Sequence, residues 1–278
     1  MNKFKVSQPG SLFDFLLTKY NKKKVKNLLK YKCVKVNDQT ISQFDYQLNI
    51  GDLVFIDSNQ DNQLEILYED NQLIVINKPS GLLSMAGGLE KEKTAYHYVS
   101  EYLKKKNKKA RVFIVHRLDR ETSGVLMFAK NEEIKNLLQN NWNKLVYKRG
   151  YKAIVEGRLT KRQGTIKSYL QESKTQQVYI ATKGKLAITH YQVIKETKNN
   201  SLLSINLDTG RKNQIRVQLQ SIGHSIIGDK KYGATTNPIK RLGLHADIFG
   251  FIHPQTKRKM EFEAKLPDEF ISLFGSVK

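Results

Sequence analysis

Apolar residues recur at helical spacing in two segments near the start of the chain. The first segment covers residues 12–17, and Ser11 followed by Asp14 can cap a helix that begins there. A second helix is predicted over residues 23–31, where Val25, Leu28 and Leu29 share one face. Lysines crowd the other positions of this segment: Lys22, Lys23, Lys24, Lys26 and Lys30. The second helix is therefore expected to bury one face and to present a cationic one.

Short strands follow these helices. Val34 and Val36 alternate with Lys35 before a turn at Asn37-Asp38, and a further strand is predicted over residues 53–56. Residues 57–63 are polar and are expected to form a linker. The pattern divides the chain into a small α/β domain, residues 1–60, and a larger domain, residues 61–278.

The larger domain begins with a strand pattern at residues 64–68 and another at 73–76, which a loop with Pro79 and Gly81 ends. A helix is predicted over residues 94–103, followed by a lysine-rich run that is either a solvated loop or a phosphate contact. Two apolar strands, residues 112–115 and 125–129, then enclose a polar loop, residues 116–124. This arrangement places the side chains of the loop at a sheet edge, where rigid elements position functional groups.

The chemistry of the polar loop centres on Asp119, which lies between Arg117 and Arg120. Neighbouring guanidinium groups favour an ionised carboxylate, which is available as a nucleophile or a base. From the residues alone, an ordinary ion-pair network at a strand end is the other interpretation of these three side chains.

The amino-acid composition indicates what kind of partner the protein binds. The 278 residues include 48 Lys and Arg against 26 Asp and Glu, a formal net charge of +22. This excess points to a polyanion, and nucleic acid fits better than a membrane because the basic residues are not confined to one amphipathic helix. Part of the excess is also explained by a Lys- and Asn-rich genome composition. The single cysteine, Cys33, cannot form an internal disulfide and is expected in the core; without a long apolar segment, a cytoplasmic protein is expected.

The first 60 residues resemble the S4 RNA-binding domain. The resemblance rests on the order and spacing of the apolar run at 12–17, the Lys-rich second helix, Val34-Lys35-Val36-Asn37 and Gly51-Asp52-Leu53-Val54. It implies that the lysines of the second helix, Lys22, Lys23, Lys24, Lys26 and Lys30, bind RNA. The alternative is a small α/β domain whose lysines are only solvated.

Residues 64 to about 270 resemble the RluA-type pseudouridine synthases. The motif His116-Arg117-Leu118-Asp119 with Thr122-Ser123-Gly124 is the most specific part of this resemblance. Five further segments match the family, in the same order along the chain. One precedes the motif, Asn77–Leu82, and four come after it: Lys148–Gly157, Gly210–Arg216, Gly228–Gly233 and Leu244–Ala246. The resemblance implies an α+β fold with a mixed, largely antiparallel, bent β-sheet flanked by helices, next to the small N-terminal S4-like α/β domain.

The implied reaction is the isomerisation of uridine within RNA to pseudouridine. The N1–C1′ bond breaks, the uracil rotates, and a C5–C1′ bond forms, which needs no cofactor. No metal is expected, because the six histidines are too scattered for a sequence-local site. The target base must leave its stack to reach a buried carboxylate, at a cost of a few kcal/mol.

The resemblance assigns catalytic roles to Asp119, Tyr151 and Arg216. Asp119 matches the catalytic carboxylate, which is proposed to attack C1′, to add at C6 or to assist removal of the C2′ proton. Arg216 matches its basic partner, although a helix-surface arginine is the alternative. Tyr151 matches a tyrosine that stacks on the target base, although its strand position suits a core residue equally. Arg117 matches the arginine that occupies the space left by the flipped base or bonds the neighbours of that base; a plain phosphate contact is the alternative. Arg120 is expected to contact RNA beside it.

Asn213 departs from the family pattern, which usually has histidine there. Asparagine can hydrogen-bond but cannot take up a proton near neutral pH, so a structural or RNA-orienting role is expected. Thr122 and Ser123 are expected to shape the loop through local hydrogen bonds, and Gly124 and Gly228 to allow special backbone conformations.

The RNA target is open at this point. Large-subunit ribosomal RNA is expected by analogy with S4-bearing relatives, and transfer RNA is the second choice. Two other classes are a non-catalytic RNA-binding or ribosome-assembly factor and a glycosidase, which would release free uracil. We expect a monomer.

Overall fold

The computed structural model describes residues 2–30, 33–56, 64–86 and 93–275. The chain divides into two compact units, Met1–Gln63 and Leu64–Lys278. The predicted linker, residues 57–63, lies outside the described residues. Nowhere in the described ranges is a helix long and apolar enough to cross a membrane.

The N-terminal unit contains a four-stranded sheet and two helices. Its elements are β1 (Asn2–Lys5), β2 (Gly10–Ser11), α1 (Leu12–Leu17), α2 (Lys22–Lys30), β3 (Val34–Val36), β4 (Gln39–Thr40), β5 (Gln47–Leu48) and β6 (Leu53–Ile56). The sheet order is β1-β6-β3-β4, and β2 pairs with β5. The Ser11 hydroxyl accepts a hydrogen bond from the Asp14 amide at 3.1 Å and so caps α1, as predicted.

Both helices of this unit bury their apolar faces in one core. Leu12 and Leu16 from α1 and Leu28 from α2 pack with the inward residues of β3 and β6. Cys33 is buried in the same cluster, as expected. Helix α2 begins one residue earlier than predicted and is described to Lys30; Tyr31 lies outside the described residues.

The C-terminal unit is built on an 11-stranded sheet. Its strands are β7 (Glu65–Glu69), β8 (Leu73–Lys78), β9 (Phe113–Ile114), β10 (Ser123–Ala129), β11 (Val146–Glu156), β12 (Gln163–Glu172), β13 (Val178–Ala181), β14 (Lys185–Glu196), β15 (Asn200–Leu207), β16 (Leu244–Ile252) and β17 (Lys259–Glu263). The main path runs β13-β12-β14-β15-β11-β16-β10-β8-β7, with β17 beside β16 and β9 beside β10. Of the strand pairs in the described residues, only β10 with β16 is parallel.

Breaks in register bend this sheet close to its centre. Strand β11 shifts against β16 between Val146 and Lys148 and again between Gly150 and Lys152. Such bulges leave a residue unpaired and bend the strand that carries it. The predicted α+β class, with a mixed and largely antiparallel sheet, is confirmed.

Helices cover both faces of the sheet. They are α3 (Ala95–Lys106), α4 (Glu132–Asn140), α5 (Trp142–Leu145), α6 (Gln214–Ser221) and α7 (Asp268–Phe274). Strands β8 and β10 are apolar along their length because α3 packs on one face and α4 on the other. Helix α6 packs on Ala153 and Val155 of β11 and on Leu203 and Ile205 of β15.

Two predictions of local structure were wrong in extent. The strand predicted over residues 112–115 is reduced to β9, because only Phe113 and Ile114 pair with β10. The helix predicted to end at residue 103 continues to Lys106, so the lysine run begins as its last turn. Positive charges there are favourable, because the last carbonyl groups of a helix carry partial negative charge.

Candidate active site

Asp119 lies on the loop between β9 and β10, and a buried lysine holds this loop in place. Lys78, at the end of β8, is fully buried, and its Nζ donates hydrogen bonds to three carbonyl oxygens. These belong to Pro79 at 3.0 Å, Leu82 at 2.7 Å and Arg120 at 3.0 Å. One ammonium group therefore joins the loop after β8 to the residue that follows Asp119. Burial lowers the pKa of Lys78 to about 7.

Two serines strengthen the same connection. The Ser84 hydroxyl donates to the Leu118 carbonyl at 2.7 Å and accepts from the Leu118 amide at 3.0 Å. The Ser80 hydroxyl donates to the carbonyl oxygen of Glu121 at 2.7 Å. The backbone on both sides of Asp119 is thus attached to residues 78–84. Sequence reasoning matched this segment to the family but gave it no role, although a lysine directly after a buried strand was a usable signal.

Arg216 is the cation that contacts the Asp119 carboxylate. Its Nη1 lies 3.4 Å from Asp119 Oδ2 and donates to Asn213 Oδ1 at 3.0 Å. Its Nε and Nη2 donate to the two carboxylate oxygens of Asp229 at 2.7 and 2.8 Å. Burial would lower the pKa of Arg216, but hydrogen bonds and charge from Asp229, together with Asp119, raise it above its ordinary value. The side chain is only 12% exposed, so Arg216 is not a helix-surface arginine.

Arg117, on the same loop, does not pair with Asp119 as the sequence suggested. Arg117 is exposed and makes no ion pair with Asp119 in the part of the chain that the structure describes. Arg120 is exposed as well. The ion pair that the structure describes for Asp119 is a long-range contact with Arg216 of α6. Sequence neighbours were misleading because consecutive loop side chains need not point in the same direction.

Tyr151 forms one wall of the cavity that contains Asp119. It is partly buried on β11 and packs against the apolar clusters under α3 and α6. Burial raises the pKa of Tyr151 to about 12, so its hydroxyl stays protonated near neutral pH. Tyr151 therefore has both properties that the sequence left open, core packing and a position in the cavity. The residues lining this cavity, called the Asp119 cavity below, are Arg117, Leu118, Asp119, Thr122, Tyr151, Leu207, Gly210, Arg211, Asn213, Gln214, Ile215, Arg216 and Leu244.

Asn213 has a local structural explanation. Its backbone is left-handed, with φ of 53°, a conformation that asparagine tolerates better than most residues. Its side chain accepts from Arg216 and donates to the Tyr232 hydroxyl at 2.9 Å. The Tyr232 ring lies beneath the Arg216 guanidinium at 4.9 Å. These contacts support the structural role expected for Asn213.

A model of the family described as RNA pseudouridylate synthase matches residues 72–221. The chain belongs to the RNA pseudouridine synthase family. It is 31% identical to the RNA pseudouridine synthase YhcT of Bacillus subtilis, over 94% of this chain and 91% of that protein. It is 33% identical to ribosomal large subunit pseudouridine synthase D of Zymomonas mobilis, over 93% of this chain and 90% of that protein.

A solved structure shares the fold. The human protein RNA pseudouridylate synthase domain containing 4 has a TM-score of 0.61 at 25% identity, covering 74% of this chain and 90% of that one. The resemblance to the RluA-type family is therefore confirmed, and with it the pseudouridine synthase fold and the class of enzyme.

Ser123 of this pseudouridine synthase has long-range partners, and the expectation of purely local hydrogen bonds was wrong. Its hydroxyl pairs with His245 Nδ1 at 2.8 Å and accepts from Arg241 Nη2 at 2.5 Å. His245 also contacts the Ala264 carbonyl through Nε2 at 3.3 Å, which makes Ser123 the donor to Nδ1. These bonds join the start of β10 to β16. Burial lowers the pKa of His245 to about 4 and keeps the ring neutral.

Two glycines of the synthase have the special conformations expected of them. Gly124 has φ of 116°, and a Cβ there would lie 2.0 Å from the Ala246 carbonyl oxygen. Gly228 has φ of 75°, and a Cβ there would lie 2.3 Å from the Arg241 carbonyl oxygen. Glycine is required at both positions, which adjoin Ser123 and Asp229 in the chain.

His116 is a structural ring next to the active site. Its Nε2 accepts from the Met127 amide at 3.1 Å, so the ring proton is on Nδ1. Burial, with the nearby charge of Arg149, lowers the pKa of His116 to about 4. Across the described ranges no three potential metal ligands come together.

The predicted RNA-binding lysines lie on α2 in the N-terminal unit. Lys22 and Lys26 are exposed, and Lys24 Nζ lies over the Tyr20 ring at 4.6 Å. Lys23 and Lys30 belong to the same helix, but their side chains lie outside the described part of the structure.

Proposed function

We propose that this enzyme isomerises specific uridines in large-subunit ribosomal RNA and that Asp119 is its catalytic carboxylate. The observation that carries the proposal is the position of Asp119 Oδ2, 3.4 Å from a buried arginine and inside the cavity that Tyr151 lines. A carboxylate held at a cavity wall can reach C1′, C6 or the C2′ proton of a uridine placed there. Each of these routes uses the same carboxylate, so each requires the same support from Arg216.

Arg216 supports the reaction as a rigid partner. Asp229 holds the edge of the guanidinium formed by Nε and Nη2, Asn213 accepts from Nη1, and the Tyr232 ring lies against the face. A cation held in this way needs no reorganisation when charge on the carboxylate changes during reaction. Since the C5 hydrogen must leave when C5 bonds to C1′, a base is needed late in the reaction, and Asp119 is the acidic side chain that lines the cavity.

Tyr151 and Arg117 are the side chains proposed to handle the extruded base. The Tyr151 ring provides a flat wall on which uracil can stack. Its hydroxyl stays protonated and can donate a hydrogen bond. Arg117 is exposed at the mouth of the same cavity, where it can occupy the space that the base leaves or bond its neighbours. Arg120, exposed beside it, is proposed to contact the RNA backbone.

The RNA target is proposed from relatives and charge. Several relatives at 30–33% identity over most of the chain are named ribosomal large subunit pseudouridine synthase D. The net charge of +22 suits a large polyanion. Residues 1–60 are proposed to act as an S4-like RNA-binding domain, with Lys22, Lys23, Lys24, Lys26 and Lys30 on its contacting helix. Transfer RNA is the alternative substrate.

The test is to map pseudouridine after incubation with unmodified large-subunit rRNA and transfer RNA transcripts. Carbodiimide labelling followed by reverse transcription locates each product. Wild type, Asp119→Asn and the control Glu133→Gln are compared; Glu133 is an exposed carboxylate in the first turn of α4. Stops on the ribosomal transcript with wild type and Glu133→Gln, absent with Asp119→Asn, are expected. Stops confined to transfer RNA would contradict the target, and stops retained by Asp119→Asn would contradict the catalytic assignment.

A further inference from the structure

A second groove opens from the Asp119 cavity. Arg117, Tyr151 and Arg211 are among the residues that line both spaces. Beyond this shared wall the groove continues along Arg149 and Trp142. We call it the arginine groove, because Arg117, Arg149 and Arg211 all line it. An RNA strand that places one nucleotide in the Asp119 cavity can continue past this shared wall into the groove.

The arginine groove holds an excess of positive charge. None of its three guanidinium groups forms an ion pair with a carboxylate in the described part of the chain. Asp208 is the acidic side chain on the groove, and its Oδ2 is bonded to His190 Nε2 at 2.9 Å. Two other lining residues are uncharged rings, since His116 is kept neutral and its ring centroid lies 5.5 Å from that of Trp142. The three arginines therefore give the lining of the groove its net positive charge.

Arg149 is one of these three arginines, and its side chain has unused donors. Its Nη2 donates to the Asp208 carbonyl at 2.5 Å, the one hydrogen bond that its side chain makes among the described residues. A guanidinium has five donor hydrogens, so the donors that the Asp208 carbonyl does not take can bind an acceptor that enters the groove. Gly210 passes so close that a Cβ there would lie 2.9 Å from Arg149 Nη1. The missing side chain leaves that nitrogen accessible from the groove.

We propose that the arginine groove binds an internucleotide phosphate of RNA next to the target uridine, with Arg149 as its central ligand and Arg117 and Arg211 beside it. This inference rests on the proposed function, because the neighbouring cavity is taken to hold the extruded base. A phosphate supplies acceptor oxygens in the fork geometry of a guanidinium, and its charge offsets three unpaired cations. The phosphates on either side of a flipped nucleotide are covalently kept close to it, so one of them is available at the shared wall.

The first test removes the positive charge of Arg149 by substitution. A hairpin carrying the uridine mapped with wild type is used to compare wild type, Arg149→Gln, Arg149→Lys and the control Arg158→Gln. Arg158 is an exposed arginine paired with Glu196. We expect KM to rise about ten-fold in Arg149→Gln, less in Arg149→Lys, and not at all in the control, with the effect falling on KM rather than kcat. The slope of log affinity against log salt should fall by about 0.7–1. An unchanged KM and slope in correctly folded Arg149→Gln would overturn the proposal.

The second test removes the charge of the phosphate instead. Hairpins with one methylphosphonate linkage, 5′ or 3′ of the target uridine, are bound to wild type and to Arg149→Gln. One of the two linkages should weaken wild-type binding about ten-fold and leave the binding of Arg149→Gln unchanged, because the two changes remove the same interaction. Equal losses in both proteins for both linkages would overturn the proposal.

Binding also separates this proposal from the proposed function. Trp142 is the single tryptophan of the chain and lines the groove, so its fluorescence reports occupancy without turnover. An inactive wild type on every RNA would contradict the proposed function alone. In that case a Trp142 signal on binding of the unmodified large-subunit rRNA transcript that Arg149→Gln weakens would still support the phosphate site, and a signal equal in both proteins would overturn it.

Discussion

Arg216 contacts Asp119 with the one guanidinium nitrogen that Asp229 does not use. Nε and Nη2 hold the two oxygens of Asp229 at 2.7 and 2.8 Å, and Nη1 is left 3.4 Å from Asp119 Oδ2. Asp229 is 2% exposed, so its pair with Arg216 is a rigid support, and the weaker contact of Arg216 with Asp119 depends on it. The distance from Arg216 to the Asp119 carboxylate is therefore set by a residue that does not itself line the cavity.

Replacing Asp229 should reduce turnover through Arg216. In Asp229→Asn one charged acceptor is removed and the guanidinium can rotate away from Asp119. We expect kcat to fall about 10- to 100-fold with a smaller change in KM, and the free energy of unfolding to fall by about 2–3 kcal/mol. Steady-state kinetics and denaturant unfolding measure the two effects. A variant with wild-type kcat would show that Asp229 does not position Arg216.

Replacing Lys78 should destabilise the active-site loop. Lys78→Met keeps the apolar stem but leaves the carbonyls of Pro79, Leu82 and Arg120 without their common donor. The expected loss is about 2–4 kcal/mol of unfolding free energy, with reduced kcat at temperatures where the variant is folded. Ser80→Ala, which removes one exposed hydrogen bond of the same segment, is the control and should lose less than about 1 kcal/mol. Equal stability of Lys78→Met and wild type would contradict the role of the ammonium group.

Much of this architecture is readable from the sequence. Strands β8 and β10 are recognisable because both of their faces are apolar, and this recognition places the polar loop with Asp119 at a sheet edge. The links from Lys78 to Arg120 and from Arg216 to Asp229 and Asp119 are not readable from spacing. The links from Lys78 to Arg120 and from Arg216 to Asp119 join elements far apart in the chain, and only the folded sheet order brings β8, the loop before β10 and α6 together. For the same reason, Arg117 looked like a partner of Asp119, although the structure places Arg216 in contact with it.

Acidification should destabilise the enzyme below about pH 6.5. Burial lowers the pKa of His245 from its ordinary value of 6.5 to about 4. Between pH 4 and 6.5 the unfolded chain therefore binds a proton at this residue that the folded chain does not bind. The contribution of neutral His245 to the free energy of unfolding is complete above pH 6.5 and is lost as the pH falls toward 4. For a fully buried ring this contribution is on the order of 3 kcal/mol. Denaturant unfolding of wild type and His245→Asn at pH 7.5 and 5 measures the part of the pH dependence of stability that comes from His245. A pH dependence as steep in His245→Asn as in wild type would contradict it.

The lysines of α2 should contribute to RNA affinity as separate charges. Replacing Lys22, Lys24 and Lys26 by glutamine should reduce the salt dependence of binding by about 0.7 for each phosphate that is no longer neutralised, while kcat at saturating RNA stays close to wild type. Replacing the exposed lysines Lys161, Lys198 and Lys265 provides a control with the same change in net charge. An equal effect of both triple variants would indicate general charge rather than an RNA-binding helix.

The most direct test of the central claim measures the hydrogen that pseudouridine formation displaces. Uridine tritiated at C5 within the substrate RNA releases tritium to water when C5 bonds to C1′. Release is followed for wild type, Asp119→Asn and Glu133→Gln, each confirmed as folded by thermal unfolding. We predict wild-type release with Glu133→Gln and a loss of at least about a thousand-fold with Asp119→Asn. Release by Asp119→Asn within about ten-fold of wild type would contradict the assignment of Asp119 as the catalytic carboxylate.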